Sequence, residues 1–240
     1  MTNRENLSAN ASSLLPAVEI ETGAHPACAV IWLHGLGADG HDFEPIVDEL
    51  DLSDLPAIRF VFPHAPMRPV TINGGYVMRA WYDIVSPDFS DRREDPQGVR
   101  ESAMQIEALI AHENTRGVAD EHIVLAGFSQ GGAIALHAGL RHKRRLAGIL
   151  ALSTYLPLAD TLPAEAHAAN RAVPIFMAHG RGDTVIPCAL GQRSGERLQA
   201  MGYPLQWHTY HAEHGVCMEE LRDIETWFRA VFATPGRDVA

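Results

Sequence analysis

Cysteine is scarce in this chain: Cys28, Cys188 and Cys217 are the only three in 240 residues, an odd count without paired spacing. That excludes a disulfide framework and points to reduced thiols in a reducing, cytoplasmic compartment. Basic residues are also in deficit. Nineteen Lys and Arg against thirty Asp and Glu leave a net charge of −11, which argues against a nucleic-acid surface and gives no help toward anionic lipid headgroups. No apolar run approaches the ~18 residues needed to span a bilayer, so no stable membrane insertion is expected. The polar N-terminal stretch has no apolar h-region of a secretory signal. Linkers rich in Ser and Gly, internal repeats and low-complexity tracts are missing too. Hydrophobic residues, at 46%, are plentiful enough for one sizeable core. The expected organisation is an N-terminal tail over 1–16 and a single domain over 17–240.

Short β-branched runs alternate with longer amphipathic ones, the pattern of a parallel sheet wrapped by helices. AVEIET (17–22) alternates like a half-exposed edge strand. Segments 28–35, 57–63, 121–129, 146–153, 173–180 and 204–211 are almost continuously apolar, as strands covered on both faces must be. Helices are expected over 97–113, where Val99, Ala103, Ile106 and Ile110 form one stripe, over 130–142, and over 216–232, where Leu221, Ile224, Phe228 and Val231 do the same. The basic run RHKRR (141–145) falls at a predicted helix end, where cations complement the helix dipole. Segment 64–95 has no long periodic stretch, yet its aromatics (Tyr76, Trp81, Tyr82 and Phe89) argue against plain disorder. It reads as a partly ordered excursion able to wall a cleft.

Gly127-Phe128-Ser129-Gln130-Gly131 is a G-x-S-x-G pattern between the strand IVLAGF and the helical run GGAIALHAGL. That is the context of a nucleophile elbow, where a very tight strand-to-helix turn leaves no room for Cβ atoms on either side. A serine hydroxyl is a poor nucleophile at neutral pH and needs a base held by an acid. With the chain order Ser, then Asp or Glu, then His, Asp183 is the first carboxylate beyond strand 173–180, and His214 follows the last strand. Asp160 is the rival acid. His211 and His208, within or at the end of that strand, are the rival bases, and His179 reads as support for a turn. Two N–H groups must stabilise a tetrahedral oxyanion. Position points to Gln130, directly after the serine, and Leu36, in the Gly-rich turn His34-Gly35-Leu36-Gly37.

Other chemistries fit less well. His211-Ala212-Glu213-His214 lacks the H-E-x-x-H metal spacing, and no further ligand is evident, so no metal is expected. Gly35, Gly37 and Gly40 form a G-x-G-x-x-G match, but no acidic residue closes the next strand, so no nicotinamide cofactor is expected. No cofactor of any kind is required.

Taken together, HGLGADG (34–40), FPHAP (62–66), PVTINGG (69–75), WYDI (81–84), GFSQGGAIAL (127–136), LSTYLP (152–157), HGRGDTVIP (179–187) and YHAEHGV (210–216) resemble the carboxylesterase/lysophospholipase family, which includes acyl-protein thioesterases and small bacterial carboxylesterases. The resemblance runs from about Val30 to Phe228. It implies an α/β-hydrolase fold, with a mostly parallel central sheet, helices on both faces and no large cap domain. It carries over Ser129, Asp183 and His214 as triad and Leu36 and Gln130 as oxyanion donors. In this family the 69–84 segment lies beside the acyl groove, which makes Trp81 and Tyr155 substrate-binding candidates. The insert SPDFSDRREDP (86–96) is more charged than a groove wall requires. The implied activity is a serine carboxylesterase acting on small-molecule or lipid-like acyl esters through an acyl-serine. An acyl-protein thioesterase or lysophospholipase is the alternative, and a binding protein on a degenerate hydrolase scaffold is the reading from another class. The oligomeric state stays open, a homodimer being one option.

Overall fold

The computed structural model describes residues 14–86 and 95–233. Most of the expected N-terminal tail and of the charged insert, Phe89 included, lies outside the described residues. In chain order the elements are β1 (Ala17–Glu21), β2 (Cys28–Leu33), α1 (Ile46–Glu49), β3 (Ile58–Pro63), β4 (Met67–Val70), β5 (Tyr76–Arg79), α2 (Pro96–Thr115), β6 (Ile123–Phe128), α3 (Gln130–Arg141), β7 (Gly148–Leu152), α4 (Leu162–Glu165), β8 (Ile175–Gly180), α5 (Cys188–Ala200), β9 (Leu205–Tyr210) and α6 (Met218–Phe232).

Seven strands form one sheet in the order β1-β3-β2-β6-β7-β8-β9. Only β1 runs antiparallel, on β3 at the edge; the remaining pairs are parallel. The period of two along each strand divides the core cleanly. Ala29, Ile31 and Leu33 of β2 join Val99, Ile106 and Ile110 of α2, Ala133 and Ile134 of α3, and Leu198 of α5. Cys28, Val30 and Trp32 of the same strand join Ile46 of α1 and Leu221, Ile224 and Phe228 of α6 on the other face. Helices therefore cover both faces of a mostly parallel sheet, as expected for the α/β-hydrolase fold.

Local chemistry sets the helix ends. Pro96 occupies the first position of α2, where a missing N–H costs nothing, and the Asp95 side chain caps the helix by accepting from the Gly98 N–H at 2.9 Å. The basic run serves the fold: Arg141 ends α3 and holds Glu165 at 2.7 Å, and Arg144 holds Asp120 at 2.9 Å. At the edge, the buried Arg59 guanidinium bonds Glu113 of α2 at 2.7 Å and Glu21 of β1 at 2.8 Å. All three cysteines are free.

Besides the four-residue helices α1 and α4, two features are not legible in the sequence. The 64–95 excursion contains a hairpin, β4 against β5, turned at Gly74 and Gly75 with φ of +66° and +79°. Helix α5 was also not placed, because the face it buries is Gly191, Ser194, Gly195 and Leu198, small residues that carry almost no hydrophobic signal. Smallness there is imposed: a Cβ on Gly191 would sit 2.4 Å from the His179 ring.

Phe60 is fully buried, with Phe62 at 6.1 Å and Phe228 at 6.4 Å between ring centroids. Phe60→Ala is expected to cost about 3–5 kcal/mol in urea unfolding. Met104→Ala, at a side chain left 64% exposed, should stay within about 0.5 kcal/mol. Equal effects of the two would mean that this face is not packed as described.

Candidate active site

Strand β6 hands the chain to α3 through Ser129, whose backbone has φ +54° and ψ −121°. Such a conformation costs a non-glycine residue on the order of 1–3 kcal/mol and persists only where its surroundings force it. The surroundings here are backbone. A Cβ on Gly127 would meet the Gly131 carbonyl carbon at 2.4 Å, and one on Gly131 would meet the Leu33 carbonyl oxygen at 2.2 Å. The glycines of the motif are thus the condition for α3 to start directly against β2 and β6. The Ser129 N–H donates to the Leu152 carbonyl at 2.8 Å, and the Thr154 hydroxyl donates to the Ser129 carbonyl at 2.6 Å, so the turn is held from β7 as well.

Three residues distant in sequence meet at this turn. His214 Nε2 lies 3.0 Å from Ser129 Oγ, and His214 Nδ1 lies 2.7 Å from Asp183 Oδ2. An ionised carboxylate at Nδ1 selects the tautomer with its proton there, leaving Nε2 to accept from the serine. The Asp183 side chain is fully buried. Its Oδ1 accepts the N–H groups of Val185 and Ile186 at 2.9 and 2.8 Å. The buried His179 Nε2–H donates to the Ile186 carbonyl at 2.8 Å, with Asp183 Oδ2 at 3.2 Å, so this histidine braces the loop that carries the acid. Phe128 packs on the His214 ring, 4.7 Å between centroids. The rival groups lie elsewhere. Asp160 is exposed and paired with Arg197, His208 stacks on Phe176, and His211 sits on the surface beside Arg181.

A cavity of about 380 Å³ opens beside Ser129, within the usual range for small-molecule sites. Leu36 and Gln130 border it, together with Ile72, Ile84, Tyr155, Val185 and Ile186. Tyr155 therefore faces the cleft, its hydroxyl paired with that of Tyr82. Trp81 does not. Its side chain is completely buried in the core, and its indole N–H donates to the His34 carbonyl at 2.9 Å. The substrate-contact expectation for Trp81 is corrected accordingly, because a ring with no exposed surface cannot meet a ligand in that cavity. The contribution of Thr184, Val185 and Ile186 to the wall went unread. The available signal is an apolar pair, Val185-Ile186, one residue beyond Asp183 in an otherwise polar loop.

The turn bearing Leu36 is fixed by several bonds. His34 Nδ1–H donates to the Gly35 carbonyl at 2.7 Å, and His34 Nε2 accepts the Ala65 N–H at 3.0 Å. Gly37 N–H donates to the Arg79 carbonyl at 2.9 Å, and Gly40 N–H to His64 Nδ1 at 3.0 Å. Gly40 thus serves this turn, and the G-x-G-x-x-G match has a structural origin. Among the described residues no cluster of His, Cys, Asp or Glu is arranged to hold a metal, and no helix is long and apolar enough to cross a membrane.

The sequence profile of phospholipases and carboxylesterases matches residues 15–232. Acyl-protein thioesterase 1 of Gibberella zeae is 38% identical over 224 residues, covering 90% of this chain and 95% of that one. Acyl-protein thioesterase 1 of Neurospora crassa is 40% identical over 222 residues, 88% of each chain. Among solved structures, SOBER1 of Arabidopsis thaliana superposes with a TM-score of 0.81 at 31% identity, over 85% of this chain and 98% of that one.

Burial holds the His34 pKa down to about 4, so the folded protein keeps this ring neutral where the unfolded chain, at about 6.5, would protonate it. The unfolded state then binds the extra proton, and stability present above pH ~6.5 falls as the pH drops toward 4, by up to about 1.4 kcal/mol per pH unit from this group. His34→Gln, which retains an acceptor for Ala65, should unfold with a shallower acid slope in denaturant titrations at pH 4–7. An unchanged slope would contradict the assignment.

Proposed function

The chain belongs to the phospholipase/carboxylesterase family and is a serine hydrolase, and from that premise we propose that it acts on acyl thioesters as an acyl-protein thioesterase, using Ser129, His214 and Asp183. The sequence alone puts a plain carboxylesterase first. The relatives, both named acyl-protein thioesterases over nearly their full length, favour the thioesterase alternative. The observation that carries the reading is the contact of the Ser129 hydroxyl with His214 at the mouth of a cavity walled by Ile72, Ile84, Val185 and Ile186.

The chemistry follows from that arrangement. His214 Nε2 takes the proton of Ser129 as Oγ attacks the acyl carbon, and Asp183 stabilises the resulting imidazolium. The N–H groups of Leu36 and Gln130 donate to the oxyanion, helped by the partial positive charge at the start of α3. The C–S bond breaks as His214 gives that proton to the departing sulfur, which leaves as the thiol and returns the imidazole to its neutral form. Neutral His214 then takes a proton from water as its oxygen attacks the acyl-serine; the C–Oγ bond breaks, His214 returns the proton to Ser129 Oγ, and the carboxylic acid is released. A thiolate, with a pKa near 8.5 for its thiol, is a far better leaving group than an alkoxide. The same machinery therefore accepts both thioesters and oxygen esters.

Ser129→Ala is expected to lower turnover by a factor on the order of 10⁴ or more; a variant that keeps most of its activity would refute the triad. An acyl series from acetyl to palmitoyl, each as p-nitrophenyl ester and as peptidyl-cysteine thioester, tests the substrate class. Each methylene buried against the apolar wall is worth up to roughly 0.8 kcal/mol. The specificity constant kcat/KM should therefore rise with chain length, and Val185→Asp should flatten that rise while sparing acetyl substrates. Acetyl esters outrunning long-chain thioesters would return the reading to a short-chain carboxylesterase.

A further inference from the structure

The buried Trp81, which touches no ligand-accessible surface, is bonded to both limbs of the oxyanion site. Its indole N–H donates to the His34 carbonyl at 2.9 Å, two residues before Leu36. Its backbone N–H donates to Gln130 Oε1 at 2.7 Å, and Gln130 Nε2 donates to the Tyr82 carbonyl at 2.7 Å. Its own carbonyl accepts from the buried Ser102 hydroxyl on α2, which anchors the segment to the core. The His34 and Trp81 rings also pack, at 5.3 Å between centroids. The limbs are in direct backbone contact as well, since a Cβ on Gly131 would lie 2.6 Å from the His34 carbonyl oxygen. We infer that Trp81 is a positioning residue that, through the Gln130 side chain and the His34 carbonyl, sets the separation and aim of the Leu36 and Gln130 N–H donors.

A hydrogen bond weakens steeply as its distance and angle depart from the optimum. Leu36 sits on a Gly-rich turn and Gln130 on the first turn of α3, two elements joined by no covalent segment shorter than the β2–β6 connection. Neither turn alone specifies where the other's N–H points. Trp81 and the Gln130 amide form a fully buried strut between them. The indole N–H, backbone N–H and carbonyl of Trp81 and the Oε1 and Nε2 of Gln130 each have a partner inside the protein, where such bonds hold their geometry best. The inference rests on the proposed acyl-transfer reading and adds to it the residue that pre-forms its oxyanion site.

The test uses the full chain with Trp81→Phe, which removes the indole donor but retains an aromatic ring, and Gln130→Met, which keeps the length of the side chain but neither bond. Turnover is expressed per fluorophosphonate-labelled site, so a partly folded preparation does not masquerade as a slow one. Both variants should lose at least roughly tenfold in kcat, short of the 100- to 1,000-fold seen when a donor is absent, with KM within about twofold. A trifluoromethyl ketone, which forms a tetrahedral oxyanion with the serine, should bind weaker by the same factor as kcat falls. The double variant should lose less than the product of the singles, since both act through one strut. A merely structural role would lower the melting temperature without moving kcat per site or the ketone affinity, and that result overturns the inference. Should Trp81→Phe not fold, Gln130→Met decides, with the indole bond to His34 still in place. Ser129→Ala is run alongside. If that variant stays active, the acyl-transfer reading itself fails; if it is inactive while Trp81→Phe and Gln130→Met turn over normally, only the positioning role does.

Discussion

The site depends on one steric constraint: the first turn of α3 lies in backbone contact with β2 and β6. A methyl group on Gly127 or Gly131 would overlap main-chain atoms within 2.2–2.6 Å. With no side chain between them, the turn can be tight enough to force Ser129 to φ +54° and leave its Oγ at the carboxyl end of the sheet. The same closeness brings the Leu36 turn alongside the amino end of α3. The strained turn at Ser129 and the close approach of the turns bearing Leu36 and Gln130 therefore follow from one packing constraint. The strain at Ser129 is offset by the surrounding hydrogen bonds from β7 and its following loop.

The remaining partners come from the order of the sheet. Strands β8 and β9 lie beyond β7 in sequence and in space, so the loops after them project at the same edge as the elbow. This is where open parallel sheets place their sites. Asp183 and His214 ride on those loops. The acid loop is stiffened twice, by its own N–H groups on Asp183 Oδ1 and by His179 from beneath. Gly191 makes room for that histidine, so a glycine on α5 contributes to the geometry of the base without approaching it.

What could be read from the residues alone follows the strength of the physical signal. Continuous apolar strands, stripes on α2 and α6, and the G-x-S-x-G context are strong, and they located the sheet, both helical layers and the elbow. Asp183 and His214, the proposed acid and base, stand out because chain order and strand ends leave few positions for such residues, despite thirteen histidines. Helix α5 is illegible because its buried face is Gly and Ser with a single Leu, and the β4–β5 hairpin because its strands are four residues long. Trp81 was misread for a different reason. An aromatic in a segment expected beside the groove suggests contact with ligand, whereas burial and the direction of an indole N–H are tertiary facts that spacing does not carry. The cavity wall at Val185 and Ile186 likewise emerges only once the acid loop is folded back over Ser129.

The central claim is convergence: a hydroxyl at 129 made reactive by an imidazole at 214. The most direct measurement is peptide mapping of the protein after brief exposure to a fluorophosphonate, with the labelling rate followed for the parent and for His214→Ala. The account predicts modification at Ser129 alone, slowed by more than about a hundredfold when the base is removed. Modification at another residue, or a rate that His214→Ala leaves unchanged, would contradict it.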